Sequence, residues 1–460
     1  MTTPQKVKAE AQQGIIYAPW ERAFSRILSP FDEFIHRQTT SGLLLMITAI
    51  ISILLANSFL ADDYLHFIHT PLIVSLGSWS INMTLHHWVN DGLMALFFFV
   101  VGMELKREIL VGELADLRQA ALPIIAAIGG MLIPALIYLS FNHGDDAMRG
   151  WGIPMATDIA FAVGVLVLLA GRVPKALITF LVALAIADDL GAVLVIAVFY
   201  THQLAFDWLA LSVVCVTLMF ALNFGGVRKV LPYFILAVLL WYGLLQSGVH
   251  ATLAGILGAF AVPSRSKYDP ALFSANIKAL LDRFDASKLK DGSDMMLNET
   301  LHSVVLRLED GVHGVQTPLQ KLANVWHLPV AFLVIPIFAL FNAGIPFEFG
   351  ELHKALNHPV MLGVMLGLLF GKFIGITGAC WLALRLGIGQ LPSNTRFSQI
   401  AAVSVLCGIG FTMSIFIAEL GFTEQPEYLL MAKTGILAAS VIAGALGFIW
   451  LWWLGNKPKK

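Results

Sequence analysis

Apolar windows recur along the chain at a length that a lipid-embedded helix requires. They fall near 41–59, 88–108, 120–141, 151–170, 175–200, 207–225, 230–246, 248–263, 325–345, 359–384, 399–421 and 429–454. Each is about as long as the hydrocarbon core is thick. Backbone N–H and C=O groups in lipid must be satisfied within the segment, so windows of this kind fold as helices. The fold class expected is an all-α polytopic membrane protein with about twelve transmembrane helices. Composition agrees: 58% of residues are apolar and 13% charged, about half the charged fraction of a soluble domain.

The windows divide the chain into a cytoplasmic N-terminal segment 1–40, a membrane domain 41–263 with spans one to eight, a cytoplasmic insertion 264–324, a membrane domain 325–454 with spans nine to twelve, and a basic tail 455–460. Lys and Arg concentrate in cytoplasmic loops. Here 25 of the 28 that lie outside the spans, counting charged span ends with the loops they adjoin, fall in alternate segments beginning with the first. Both termini are therefore expected in the cytoplasm. The N-terminus lacks the pattern of a cleaved signal peptide. From Trp20 to His36, apolar residues at helical spacing suit an interfacial helix or an amphipathic linker packed on protein. The insertion reads as a solvated linker with surface helices around Ala271–Phe284 and Leu297–Leu308. A net charge of −1 gives no reason to expect a nucleic-acid partner, and Cys215, Cys380 and Cys407 lie singly in apolar runs as packing residues.

Against this background a few acids are out of place. Thr157 and Asp158 lie in ATDIAFAVGVL, and Asp188 and Asp189 lie in ALAIADDLGAVLVIAV. An ionisable group at membrane depth costs at least ~2.5 kcal/mol, so such residues mark function by default. The adjacent aspartates point ~100° apart on one helix. One can face a cavity and bind a cation while the other meets a partner.

Spans three to five and ten to twelve enter the membrane from opposite sides, so any repeat relating them is inverted. The middle span of each unit is interrupted beside a hydroxyl, by Pro154 with Thr157 and by Gly408 and Gly410 with Thr412. Paired interruptions of this kind point to a midplane ion site; two packing kinks are the alternative. Asp158 is placed to cap a resumed half-helix and answer its positive end, as a charge compensator more than a ligand. In span ten Gly363, Gly367, Gly371 and Gly375 form a small-residue seam, and span five has Ala183, Ala187 and Gly191. If these seams face one another or a shared cavity, Lys372 comes to Asp188. The alternative, a snorkelling lysine, sits awkwardly with a position deep in the span. Carboxylate and hydroxyl oxygens suit Na⁺, Li⁺ or H⁺. Competition of Na⁺ and H⁺ for the same carboxylates produces exchange by occupancy alone.

ATDIAFAVGVL, DDLGAV, GVHATLAG (248–255), FFFVVGMELKREI (97–109) and FGKFIGI (370–376) together resemble the bacterial NhaA-type Na⁺/H⁺ antiporters. The likeness runs from about Ser41 to Trp453 apart from the insertion. It implies a multi-pass protein of the bacterial inner membrane with crossed, unwound spans four and eleven, a homodimer, no cofactor and no enzymatic reaction. It also implies cation binding and proton exchange at Asp188, Asp189 and Thr157, with Na⁺ held there, and charge compensation by Asp158 and Lys372. Glu104, Lys106, Arg107, Glu108 and His250 match its pH-response residues. Read from the sequence alone, a membrane-interface anchor is the alternative reading of the first four. The family favours two protons per Na⁺, hence electrogenic exchange, where the paired acids are both Asp.

One departure concerns the start of span nine. There Ala323 and Asn324 stand where the family often has an acid and a histidine, with His327 nearby but out of register. A sodium-coupled symporter of an organic anion is the second reading, and solute uptake on a sodium gradient discriminates it. An intramembrane aspartyl protease is disfavoured because the acids are adjacent and no GxGD segment is present.

Overall fold

A computed structural model describes residues 38–455 except 78, 113, 170, 202–203, 267–269, 292–298 and 347–355. The expected helix over Trp20–His36 and the basic tail beyond 455 lie outside the described residues.

Among the described residues the regular elements are helices apart from one hairpin. Helices α1 (Gln38–Ala56) and α2 (Ala61–Ile68) precede strands β1 (Pro71–Leu76) and β2 (Trp79–Thr84), followed by α3 (Met94–Val111), α4 (Leu117–Phe141), α5 (Ile159–Leu168) and α6 (Lys175–Phe199). Next come α7 (Phe206–Phe224), α8 (Val230–Ser247) and α9 (Leu253–Ala261), then α10 (Pro270–Asp291) and α11 (Glu299–Val315) in the insertion. The rest is α12 (Pro318–Pro329), α13 (Ile335–Asn342), α14 (Pro359–Leu366), α15 (Lys372–Arg385), α16 (Phe397–Leu406), α17 (Phe411–Gly421) and α18 (Pro426–Gly455). Single π-helical turns join α12 to α13 and α14 to α15, so each pair forms one span. Span nine thus begins at Pro318, seven residues before the hydrophobic window, under a Thr317 capping box.

Among the described residues eight helical stretches are long and apolar enough to cross a membrane, Asp146–Leu168 with its break at 156–158 among them, and two bent pairs qualify when each is one span. One bent pair is α16 with α17, broken by 48°. Two expected spans fail the same test for visible reasons. Helix α3 carries Glu104, Lys106, Arg107 and Glu108, whereas α9 has only nine residues, ~14 Å of helix against a core of ~30 Å.

The hairpin between spans one and two pairs Pro71 with Thr84 through Leu76 with Trp79, antiparallel. Leu72, Ile73 and Val74 of β1 are exposed, whereas Ile81 of β2 is buried.

Helix α4 is the spine of the site. The glycine seam of span ten packs on α4, and not on the small series of span five as the sequence suggested. A Cβ on Gly375 would stand 2.2 Å from the Gly129 oxygen, and one on Gly371 would stand 2.6 Å from Pro134 Cα. Span five turns Gly191 to the same helix, towards Met131. The span-ten seam therefore brings its backbone to that of α4 within the range that membrane helix packing uses, and Gly191 leaves room for the Met131 side chain. Lys372 and Asp188 then project past this spine towards one another.

Candidate cation and proton site

Two broken spans meet at the centre of the helical assembly. A 3₁₀ turn over Arg149–Met155 ends at Pro154 and Met155, residues 156–158 are extended, and α5 starts at Ile159. In the other span α16 stops at Leu406 and α17 starts at Phe411, separated by Cys407, Gly408, Ile409 and Gly410. The loose backbone groups find one another. Asp158 N donates to Ile409 O at 2.7 Å, Thr157 Oγ1 donates to Cys407 O at 3.0 Å, and Ser414 Oγ donates to Ile153 O at 2.8 Å.

Asp158 serves both half-helices. Its Oδ1 accepts from Phe161 N at 2.9 Å as the N-cap of α5. Its Oδ2 accepts from Thr412 N at 3.1 Å and Thr412 Oγ1 at 2.5 Å at the start of α17. One carboxylate thus answers the positive ends of two helices, which occupies both of its oxygens.

Asp188 and Asp189 occupy the middle of α6 and differ in every partner. Lys372 Nζ lies 2.6 Å from Asp188 Oδ2, and both side chains are fully buried. Thr157 lies beside Asp188 as well. Asp189 is 1% exposed, and among the described residues neither of its oxygens has a hydrogen-bond partner. A buried carboxylate without donors is costly, so this is a position prepared for something the chain does not itself supply. Among the described residues no three His, Cys, Asp or Glu side chains converge as a metal centre would require. Two adjacent carboxylates and a hydroxyl offer hard oxygens, which suit an alkali cation or protons.

A cavity of about 560 Å³ approaches from one end, lined by Glu108, Gly112, Gln119, Val163, Thr179 and Ala183. Ala183 is two turns or less from the paired aspartates along α6. The opposite end is shut by Phe98, Phe338 and Phe416, each at most 1% exposed.

The four charged residues of α3 separate by partner. Lys106 Nζ donates to Phe260 O at 2.6 Å and Val262 O at 2.5 Å, capping the carbonyl end of α9. Arg107 and Glu108 stand 3.7 Å apart, and Glu108 faces the cavity. Glu104 Oε1 lies 3.5 Å from His327 Nδ1. The histidine that looked out of register thus reaches the acid from one turn further along α12. His250 is not brought to this group: its Nε2 lies 2.6 Å from Tyr200 O, a full ~18 Å along α6 from Asp188.

Several partners escaped the sequence reading. Ser414, two residues after Thr412, and the carbonyls of Cys407 and Ile409 carry no hydropathy signal. Glu419 and Lys433 did carry one, since both are charged residues inside apolar windows. They lie 2.5 Å apart.

Crossed half-helices beside a buried carboxylate, Asp189, that has no hydrogen-bond partner among the described residues have the architecture of a secondary carrier of small cations. The Na⁺/H⁺ antiporter 1 family model matches residues 32–451, and the chain belongs to that family. It is 56% identical to the Na⁺/H⁺ antiporter NhaA 1 of Saccharophagus degradans over 441 residues, 96% of this chain and 95% of the relative. It is 50% identical to the Na⁺/H⁺ antiporter NhaA of Sulfurimonas denitrificans, covering 95% and 98% of the two chains. Identity to the Na⁺/H⁺ antiporter NhaA of Dichelobacter nodosus is 46%, covering 96% and 95%. The protein is accordingly a multi-pass membrane antiporter of Na⁺ and H⁺.

Proposed function

We propose that Asp189 is the principal ligand for the transported Na⁺ or Li⁺, assisted by Asp188 and Thr157, and that protons compete for the same carboxylates. The observation carrying this reading is the buried Asp189 carboxylate without a donor, beside an Asp188 already held by Lys372. A cation arriving through the cavity meets Asp189 and displaces its proton. Drawing Asp188 into the coordination shell weakens its bond to Lys372, which frees a second proton from that pair. Protonation of the carboxylates from the other side reverses both steps. Asp158 takes no part in the exchange, since its oxygens are committed to the two half-helices.

This reading makes the exchange electrogenic, with two protons for each Na⁺. Both termini face the cytoplasm of a bacterium, the protein lies in the inner membrane, and the cavity opens inwards. One net charge then moves inward per cycle, drawing ~2.3 kcal/mol per 100 mV from the membrane potential. The test is the Na⁺ gradient at which flux reverses in proteoliposomes under a set voltage. The expected reversal point moves with voltage; a reversal point indifferent to voltage establishes one-for-one exchange and defeats the stoichiometry.

Glu104 with His327, and Glu108 at the cavity mouth, shape the pH response without binding the transported ion, whereas Lys106 and His250 act through the helix ends they hold. Activity is expected to rise from acidic to alkaline pH. Glu104→Ala removes the carboxylate facing His327 and shifts the midpoint by on the order of one pH unit. A curve that does not move returns the cluster to the role of anchor. A homodimer is supported by the β1–β2 hairpin, a two-stranded sheet whose edges pair with no further strand among the described residues.

A further inference from the structure

Helix α17 carries an acid that the exchange chemistry above does not use. Thr412, Phe416 and Glu419 recur at i, i+4 and i+7 and so share one face. Thr412 binds Asp158. Phe416 places its ring 5.4 Å from Phe98 of α3 and 6.2 Å from Phe338 of α13. Glu419 lies ~10 Å beyond Thr412, on the side away from the cavity. There Lys433 Nζ of α18 stands 2.5 Å from Glu419 Oε1, and His86 Nε2 stands 3.6 Å from the same oxygen. All three side chains are at most 15% exposed. His86 precedes α3, and its Nε2 lies 3.0 Å from Asn342 Oδ1 at the end of α13. Asn342 in turn donates to Asn90 at 2.9 Å.

Two layers therefore bridge the same two bodies. The aromatic layer joins Phe416 to Phe98 and Phe338, and the polar layer joins Glu419 to His86. On one side stand α17 and α18; on the other stand α3 and α13. Opening towards this end requires both layers to part.

We propose that His86 is a proton-binding site of the outer gate: a proton from the outer solution makes its ring cationic and straps α3 and α13 to Glu419 over the aromatic plug. Nε2 also lies 3.3 Å from Asn90 Nδ2, so the two amides share this nitrogen, and protonation makes donors of both ring nitrogens. The charges around the ring set the sign. Glu419 and Asp91 attract the added charge, whereas Lys433 and the neighbouring His69 and His87 oppose it. Glu419 is the only one of these that belongs to the opposing body and is within 4 Å among the described residues. The proton therefore favours the closed arrangement, in which His86 stands against Glu419, and by linkage acid on the outer face holds the gate shut. The strap weakens as outer pH rises.

This inference rests on the orientation and exchange proposed above. The test uses the full chain oriented in proteoliposomes, with radiolabelled Na⁺ exchange followed while pH is varied on the outer face alone and the inner face is held alkaline. Wild-type exchange is expected to fall as the outer face is acidified. His86→Gln should sustain exchange to roughly tenfold higher outer proton activity, one pH unit, with the inner-face pH profile and half-saturating Na⁺ unchanged. A short thiol-reactive cross-linker joining His86→Cys to Glu419→Cys, with the three native cysteines replaced, should arrest exchange until reduced. Superimposable outer-pH curves, movement of both faces' curves together, or a cross-linked pair that still transports would each overturn the gate. A wild type without Na⁺-dependent flux would sink the exchange reading itself, and the gate with it.

Discussion

Asp189→Asn is expected to abolish Na⁺-dependent proton release while leaving the protein folded in the membrane. The two halves of this expectation have separate causes. Exchange is lost because an anionic oxygen is removed from a cation: at 4 Å and an effective dielectric of 20 a charge pair is worth roughly 4 kcal/mol, about a thousandfold in affinity. The fold survives because the amide is nearly isosteric and the carboxylate has no hydrogen-bond partner to forfeit among the described residues. Isotope binding to the purified variant and dequenching of a pH dye in everted vesicles measure the first half, and thermal unfolding measures the second. Wild-type Na⁺ binding by a folded Asn variant would remove Asp189 from the site.

One residue away the expectation inverts. Lys372→Ala leaves Asp188 buried without its counter-charge, and both side chains are fully buried. Breaking such a pair costs about 3–5 kcal/mol, whereas replacing both partners by neutral groups is far less costly. Lys372→Ala should therefore unfold at clearly lower temperature in detergent, and Lys372→Met combined with Asp188→Asn should recover most of the loss. A double variant no more stable than Lys372→Ala would show that the lysine acts through packing alone. Adjacent aspartates thus divide the work: Asp188 is tied to stability through its lysine, and Asp189 to ion binding through having no such tie.

Much of this arrangement was legible in the chain. Acids in apolar windows, and Pro154, Gly408 and Gly410 beside hydroxyls, located the broken spans, because hydropathy and helix disruption are local properties. What packs against what is not local. The glycine seam of span ten was visible, but its partner was not, since any small-residue face fits any other; only the structure assigns it to α4. His327 was discounted on register in the sequence, whereas one helical turn separates side chains by only ~5.4 Å, a distance that Glu104 spans. Glu419 and Lys433 were overlooked beside a stronger family motif, although the reasoning that singled out Asp158 applied to them equally. The hairpin and the carbonyls of Cys407 and Ile409 left no trace in composition.

The crossing at Asp158 also bears on how the protein is made. Its Oδ2 accepts from Thr412, which follows it by 254 residues. At translation rates of ~5–20 residues per second, that interval is roughly 13–50 s. Throughout it span four sits in the membrane or its insertion machinery with the polar break at Thr157 and Asp158 unanswered, for Cys407, Ile409 and Thr412 do not yet exist. Synthesis of the first ten spans therefore precedes completion of the site, and the crossing is among the last contacts to form. A ribosome that stalls after span ten leaves the carboxylate, the hydroxyl and the loose backbone of span four exposed together, which makes an unfinished chain recognisable to quality-control proteases at its most polar point.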